Sequence, residues 1–219
     1  MVTTIERPLA IAVAGTHSTG KSTFLTRIAH ELRRADLEVA TIADLGERAL
    51  QSGFPILHSH NYASTLWIMT RGISNEVAAW PHVDVLLVDR PVPDALGYWL
   101  AALDYRDETP DLDALRRLRS LAVGHSTHYD LIFRTTLDPT IPLGTNKPRD
   151  NDLHYRALAD KHVGAVLTDL DIAHRLLPPD GHGAGIDYAT DFALRHHYGA
   201  PTDLTAASPE TPPRSRAPT

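Results

Sequence analysis

The chain has 219 residues, with 21 Lys and Arg against 27 Asp and Glu, a formal net charge of -6 and no cysteine. Apolar residues make up 42% and charged residues 22%, an ordinary globular balance in a chain long enough to bury a core as one domain. That excludes a disulfide-stapled module and any thiolate site, argues against general binding to a nucleic-acid backbone, and leaves no apolar run near the roughly 18 residues of a membrane span.

In chain order, Leu9–Ala14 is a continuous apolar run closed by Gly15, the pattern of a strand buried on both faces. The apolar stretch from Pro8 is short for a secretory signal and flows into a glycine-bounded turn, so a cytoplasmic protein is expected. After Gly20 the spacing turns helical, with Phe24, Leu25, Ile28, Ala29 and Leu32 on one face. Val39–Ile42 reads as a second strand and Leu45–Gln51 as a short helix. Tyr62–Ala79 reads as a helix with Leu66, Met69, Ile73 and Val77 on one stripe, and Val83–Val88 as a third strand. Asp94–Leu103 and Asp111–Val123 read as helices with acidic N-termini. Tyr129–Thr135 is a fourth strand, Leu153–Leu170 a long helix, Ile172–Leu177 a fifth strand and Asp187–His197 a last helix. Strands alternating with helices predict a doubly wound α/β fold in three layers around a parallel sheet. Residues 1–199 are expected to form the domain, and the Pro-, Thr- and Ser-rich segment 200–219 a disordered tail.

Gly15-Thr16-His17-Ser18-Thr19-Gly20-Lys21-Ser22 has the Walker A form G-x-x-x-x-G-K-[ST], set between an apolar strand and an amphipathic helix. Glycines let the backbone wrap a phosphate with its N–H groups inward, and the helix N-terminus adds partial positive charge. Lys21 is placed to reach the β- and γ-phosphates, Ser22 to ligate Mg²⁺ and Thr23 to touch an α-phosphate. His17 reads as a surface-facing loop residue.

Asp89-Arg90 ends the third apolar run, at the sheet edge where open α/β sheets bind ligands. Asp89 suits Mg²⁺, directly or through water, and Arg90 a substrate or transferring phosphoryl group. Asp94 suits either that site or a helix cap. A GTPase would want D-x-x-G here and N-K-x-D for guanine; the chain has Asp89-Arg90-Pro91-Val92 and Asn146-Lys147-Pro148-Arg149. An ATPase machine usually carries an acid after the strand-end Asp, where this chain has Arg90. A kinase instead excludes water and accepts a hydroxyl nucleophile.

Residues 138–152, with Lys147 and Arg149, and Arg156 on the next helix, fit a basic lid that covers phosphates and stabilises the transferring group. Asp44-Leu45-Gly46-Glu47-Arg48 follows the second strand. Asp44 or Glu47 is placed to accept a hydroxyl proton, with solvent-exposed charges opening a helix as the alternative. Tyr62, Trp67 and Arg71 are the expected acceptor-side wall. The pairs His58-x-His60 and His196-His197 lack a third ligand at metal spacing and read as surface or packing residues. Residues 178–185 read as a connecting loop, or, by resemblance to P-loop kinases, as a loop beside the nucleotide base.

Together, Gly15 to Thr23, Asp89-Arg90 with Asp94 and Tyr98, and Arg149-Asp150 with Arg156 resemble the small P-loop kinases of the AAA-ATPase-like group. That group is related to the ribosylnicotinamide kinase domain of bifunctional nicotinamide-nucleotide adenylyltransferases, and the resemblance covers roughly residues 8–198. It implies ATP- and Mg²⁺-dependent transfer to a hydroxyl of a nucleoside or similar small molecule. The family's second-strand segment carries Glu followed three residues later by Arg; Asp44 and Glu47 occupy those positions, which suggests a different acceptor. No H-x-G-H signature of an adenylyltransferase is present.

On this reading Lys21 and the loop amides hold ATP, Ser22 and Asp89 hold Mg²⁺, and Asp44, or alternatively Asp89, orients or deprotonates the acceptor. Lys147, Arg149 and Arg156 stabilise the phosphoryl group. Two rivals stay open: a nucleoside monophosphate kinase using Arg48, Arg71 and Arg90 on an acceptor phosphate, and an NTP-binding switch acting through a protein partner. No nucleic-acid or membrane partner is expected, and the oligomeric state is open, a homodimer being one option.

Overall fold

The computed structural model describes residues 5–138 and 152–199. Residues 139–151 of the expected lid, with Lys147 and Arg149, and the expected tail at 200–219 lie outside the described residues. The described residues form strands β1 (Leu9–Ala14), β2 (Val39–Ile42), β3 (Val85–Asp89), β4 (Leu131–Thr135) and β5 (Arg175–Leu177). The helices are α1 (Lys21–Arg34), α2 (Gly46–Gln51), α3 (Tyr62–Ala79), α4 (Val92–Tyr105), α5 (Leu112–Ser126), α6 (Leu153–Asp169) and α7 (His182–Tyr198). No described helix is long and apolar enough to cross a membrane.

The sheet is parallel throughout, in the order β2-β3-β1-β4-β5. Alternation along β1 divides the core. Leu9, Ile11 and Val13 pack on one face with Phe24, Leu25 and Ile28 of α1 and Ile186 and Ala189 of α7. Ala10, Ala12 and Ala14 point the other way, toward Ala101 and Ala102 of α4 and Tyr155, Ala159 and Val163 of α6. Small side chains on that face let α4 and α6 lie close, and Gly97 completes the approach: a Cβ there would sit 2.7 Å from the Val163 Cα. A further apolar cluster joins α3, α4 and α5 through Met69, Leu96, Trp99 and Leu118. The three-layer α/β architecture is the expected one.

Three local readings change. Helix α4 begins at Val92, so Asp94 lies inside its first turn and makes no cap hydrogen bond. Helix α7 begins at His182 rather than Asp187, so the expected loop 178–185 is a 3-10 turn at Pro179–Gly181 running into a helix. Gly185 sits in that helix because Leu177 and Phe24 press on it, leaving no room for a Cβ. The fifth strand contracts to three residues, with Arg175 and Leu176 exposed at the sheet edge.

Order reverses at β1, whose neighbours β3 and β4 continue the chain in opposite directions. Such a switch point opens a crevice at the C-terminal ends of the strands. The register places Val13 beside Asp89, so the loop after β1 and the Asp-Arg pair after β3 meet at that crevice.

Candidate active site

The loop after β1 owes its shape to unusual backbone angles. Gly15 has φ 133°, Gly20 φ 80° and Ser18 φ 60°. A side chain at Gly15 would collide with the Thr135 Oγ1, 2.1 Å from an ideal Cβ, so only glycine fits there. Thr135, at the end of β4, donates to Ala14 O at 3.2 Å and lies 2.7 Å from Thr19 Oγ1. It braces the loop from below, a role the sequence did not reveal.

Residues His17 to Thr23 line a cleft of about 450 Å³, while Gly15 and Thr16 are not part of its lining. His17 is buried, not surface-facing, with its Nδ1 3.5 Å from the Tyr98 hydroxyl. Lys21 is buried and donates to Thr16 O. Burial, then the nearby Arg90 charge, lowers its pKa against the opposing pull of Asp89, Asp94 and Asp44. Arg156, expected at the phosphoryl group, is 2% exposed and lies off the cleft. It donates to His17 O at 3.3 Å and Ser18 O at 3.2 Å, holding the loop by its carbonyls.

Across the cleft, Ser22 Oγ donates to Asp89 Oδ2 at 2.6 Å. Asp89 is 6% exposed, and its Oδ1 has no hydrogen-bond partner among the described residues. A buried carboxylate oxygen without a partner beside a serine hydroxyl fits a hard cation that takes its remaining ligands from phosphate and water. The described residues hold no cluster of three metal-binding side chains, so these two would be the protein's share.

Arg90 organises the opposite wall. Its backbone has φ 72°, a left-handed conformation rare for a bulky side chain. The turn throws the guanidinium back over the loop, where Nε donates to Asp44 Oδ2 at 2.8 Å and Nη1 to Gly15 O at 3.1 Å. Nη1 also lies 3.4 Å from Asp94 Oδ2, and the guanidinium carbon sits 4.7 Å from the Tyr98 ring centroid. Asp94, 2% exposed, accepts from Gly15 N at 3.3 Å. Burial pushes its carboxyl pKa up against the charges of Arg90 and Lys21. Asp94 therefore serves the loop rather than a cap, and the signal for it was its i,i+4 spacing from Arg90.

Burial alone would also raise the pKa of Asp44, at the rim, but the Arg90 charge, the Gly46 amide and the Arg90 hydrogen bond hold it down to about 2. Glu47 lines the same rim, exposed. Arg48, Trp67 and Arg71 are not brought to the cleft: the two arginines are exposed, and Trp67 packs against Phe54 with ring centroids 5.4 Å apart. Tyr62 likewise lies off the cleft, its ring 6.4 Å from that of Trp99. The residues of α3 that line the cleft are instead Ile68, Met69, Gly72 and Glu76.

Comparison with known proteins places the chain in a family and a fold. A sequence-family model described as an AAA domain matches residues 10–183. No curated protein matches the sequence. Among solved structures, the chain is similar to NadR in complex with NR, with a TM-score of 0.59 and 13% identity. That match covers 88% of this chain and 51% of the NadR chain, so the protein spans about half its length. A deoxyadenosine kinase from M. mycoides with bound dATP gives a TM-score of 0.57 at 13% identity, over 84% of this chain and 98% of the other. The thymidylate kinase of Candida albicans gives 0.56 at 14% identity, over 87% and 94%. The chain belongs to the AAA domain family and carries the three-layer fold of the P-loop kinases.

Proposed function

We propose that the protein is an ATP-dependent kinase that transfers the γ-phosphoryl group to a hydroxyl of a nucleoside-like small molecule. The observation that carries this is the placement of Asp44, tied to Arg90 at 2.8 Å, on the same cleft as the Ser22–Asp89 pair and Lys21. The loop amides and Lys21 would hold the triphosphate, and Mg²⁺ on Ser22 and Asp89 would neutralise phosphate charge. Arg90, pinned between Asp44 and Asp94, fixes the angle at which the Asp44 carboxylate meets an incoming hydroxyl. With its pKa held near 2, Asp44 stays ionised and is a weak base toward an ordinary alcohol. Its main work is then orientation, accepting the hydroxyl hydrogen bond and taking the proton only as the new O–P bond acidifies it. The NadR and deoxyadenosine kinase likenesses support a nucleoside-like acceptor at the level of fold. Lys147 and Arg149 are proposed to close on the phosphates, with Arg156 supporting the loop that binds them.

The test is an ADP-release assay with Mg²⁺ and ATP across nucleosides, nucleotides and other hydroxylated metabolites, with mass detection of a product that has gained one phosphate. Acceptor-dependent ADP release that Asp44→Asn lowers at unchanged KM for ATP supports the reading. Slow hydrolysis indifferent to every acceptor would favour the regulatory rival.

A further inference from the structure

The acceptor end of the cleft has two unusual properties. The first is its charge. Among the described residues, Lys21 and Arg90 are the lysine and arginine side chains that line the cleft. Lys21 lies on the phosphate side, and Arg90 is spent on Asp44, Asp94 and the Gly15 carbonyl. The acceptor side instead shows the carboxylates of Asp44, Glu47 and Glu76 among apolar side chains such as Leu45, Ile56, Met69 and Val92. Glu76 is 2% exposed and held by Tyr129 Oη at 3.0 Å and His125 Nε2 at 2.8 Å, so this carboxyl is fixed in the floor. A dianionic phosphomonoester would find, among the described residues of this end, no arginine or lysine left unpaired to receive it, and the exposed carboxylate of Glu47 beside it.

The second property is His60. Its ring lines the cleft at 4% exposure, and neither ring nitrogen has a hydrogen-bond partner among the described residues. Buried imidazoles normally satisfy both nitrogens. The backbone around His60 is pinned. Arg106, at the end of α4, donates to the carbonyls of His58 and His60. Asn61, the next residue, caps α3 in a reciprocal capping box with Ser64. Leu57 is held at φ 58° to make the turn. Burial, helped by the charges of Arg90 and Arg106, lowers the ring pKa to about 4, so it is neutral near pH 7 with one donor and one acceptor nitrogen.

Resting on the kinase reading above, we infer that the acceptor is a ring-bearing alcohol without phosphate or other negative charge, and that His60 is the specificity residue that hydrogen-bonds it. The apolar walls take the ring, the Asp44 rim takes the hydroxyl, and His60 reads a polar group of the ring.

The experiment is equilibrium binding, with a non-hydrolysable ATP analogue and Mg²⁺ present, of deoxyadenosine and thymidine, each beside its 5′-monophosphate. At least one alcohol is expected to bind about tenfold or more tighter than its monophosphate. His60→Phe is expected to weaken that alcohol by about tenfold while the ATP analogue binds as before, and His60→Gln to recover part of the loss. A monophosphate binding as tightly as its alcohol, neither alcohol binding, or His60→Phe binding the alcohol unchanged would each overturn the inference and leave the kinase reading standing. Failure of the ATP analogue to bind would instead overturn the kinase reading and this inference with it. Melting curves of both variants establish that they are folded.

Discussion

The Ser22 hydroxyl donates to Asp89 Oδ2 at 2.6 Å, joining the first turn of α1 to the end of β3 across the crevice of the sheet. The residues are 67 apart in sequence, and the contact exists because β1 and β3 pair in a register that sets Val13 beside Asp89. The bond orients Asp89 so that its other oxygen faces away from Ser22, without a described partner. Asp89→Asn keeps an acceptor for Ser22 but removes the charge a divalent cation needs. Turnover is expected to fall by roughly a hundredfold or more, with half-maximal activity shifted to higher Mg²⁺. A magnesium titration of steady-state ADP release checks this, and an unchanged midpoint would remove Asp89 from the metal site.

Arg90 ties Asp44, Asp94 and the Gly15 carbonyl together. Arg90→Ala would leave Asp94, 2% exposed, with only the Gly15 amide and distant charges. Stripping one partner from a buried ion pair costs about 3–5 kcal/mol. The variant is expected to lose that much in urea unfolding, and Arg90→Lys to recover little of it, since an ammonium cannot reach Asp44, Asp94 and Gly15 O together. A loss under about 1 kcal/mol would show that the network carries little stability.

His60 gives stability a pH dependence of known sign. Its folded pKa is about 4, below the ordinary 6.5, through burial and the Arg90 and Arg106 charges, with Asp44 opposing. The unfolded chain therefore takes up a proton first as pH falls. The stabilisation tied to the neutral ring is complete above pH 6.5 and is lost as pH drops from there to about 4, on the order of 3 kcal/mol in all. Urea unfolding at pH 7 and pH 4.5 is expected to show a smaller drop for His60→Gln than for wild type. Equal drops would mean that the ring is solvated.

The phosphate loop was legible because G-x-x-x-x-G-K-S is local: seven intervals of sequence carry the backbone turn, the amine and the hydroxyl together. Strands β1 and β3 were legible because both faces are buried, which makes each a short apolar block. The rest of the cleft lining was not. Trp67 and Arg71 share helix α3 with Met69 and Gly72, yet only the latter pair reaches the cleft, because the neighbouring elements decide which face is covered. His60 passed as a packing residue since no metal spacing singled it out. Its lack of hydrogen-bond partners is a three-dimensional property. Arg156 and Asp94 were recognised as charges, but their service to the loop depends on contacts 139 and 79 residues apart.

The central claim is that a nucleoside triphosphate is gripped at the β1–α1 junction, and isothermal calorimetry of MgATP and MgGTP against wild type and Lys21→Ala tests it most directly. The account predicts one ATP site in the wild type and binding weakened by about tenfold or more in Lys21→Ala, whose melting temperature stays close to that of the wild type. Absence of binding heat for both nucleotides with the folded wild-type protein, or equal ATP affinity in the variant, would contradict it.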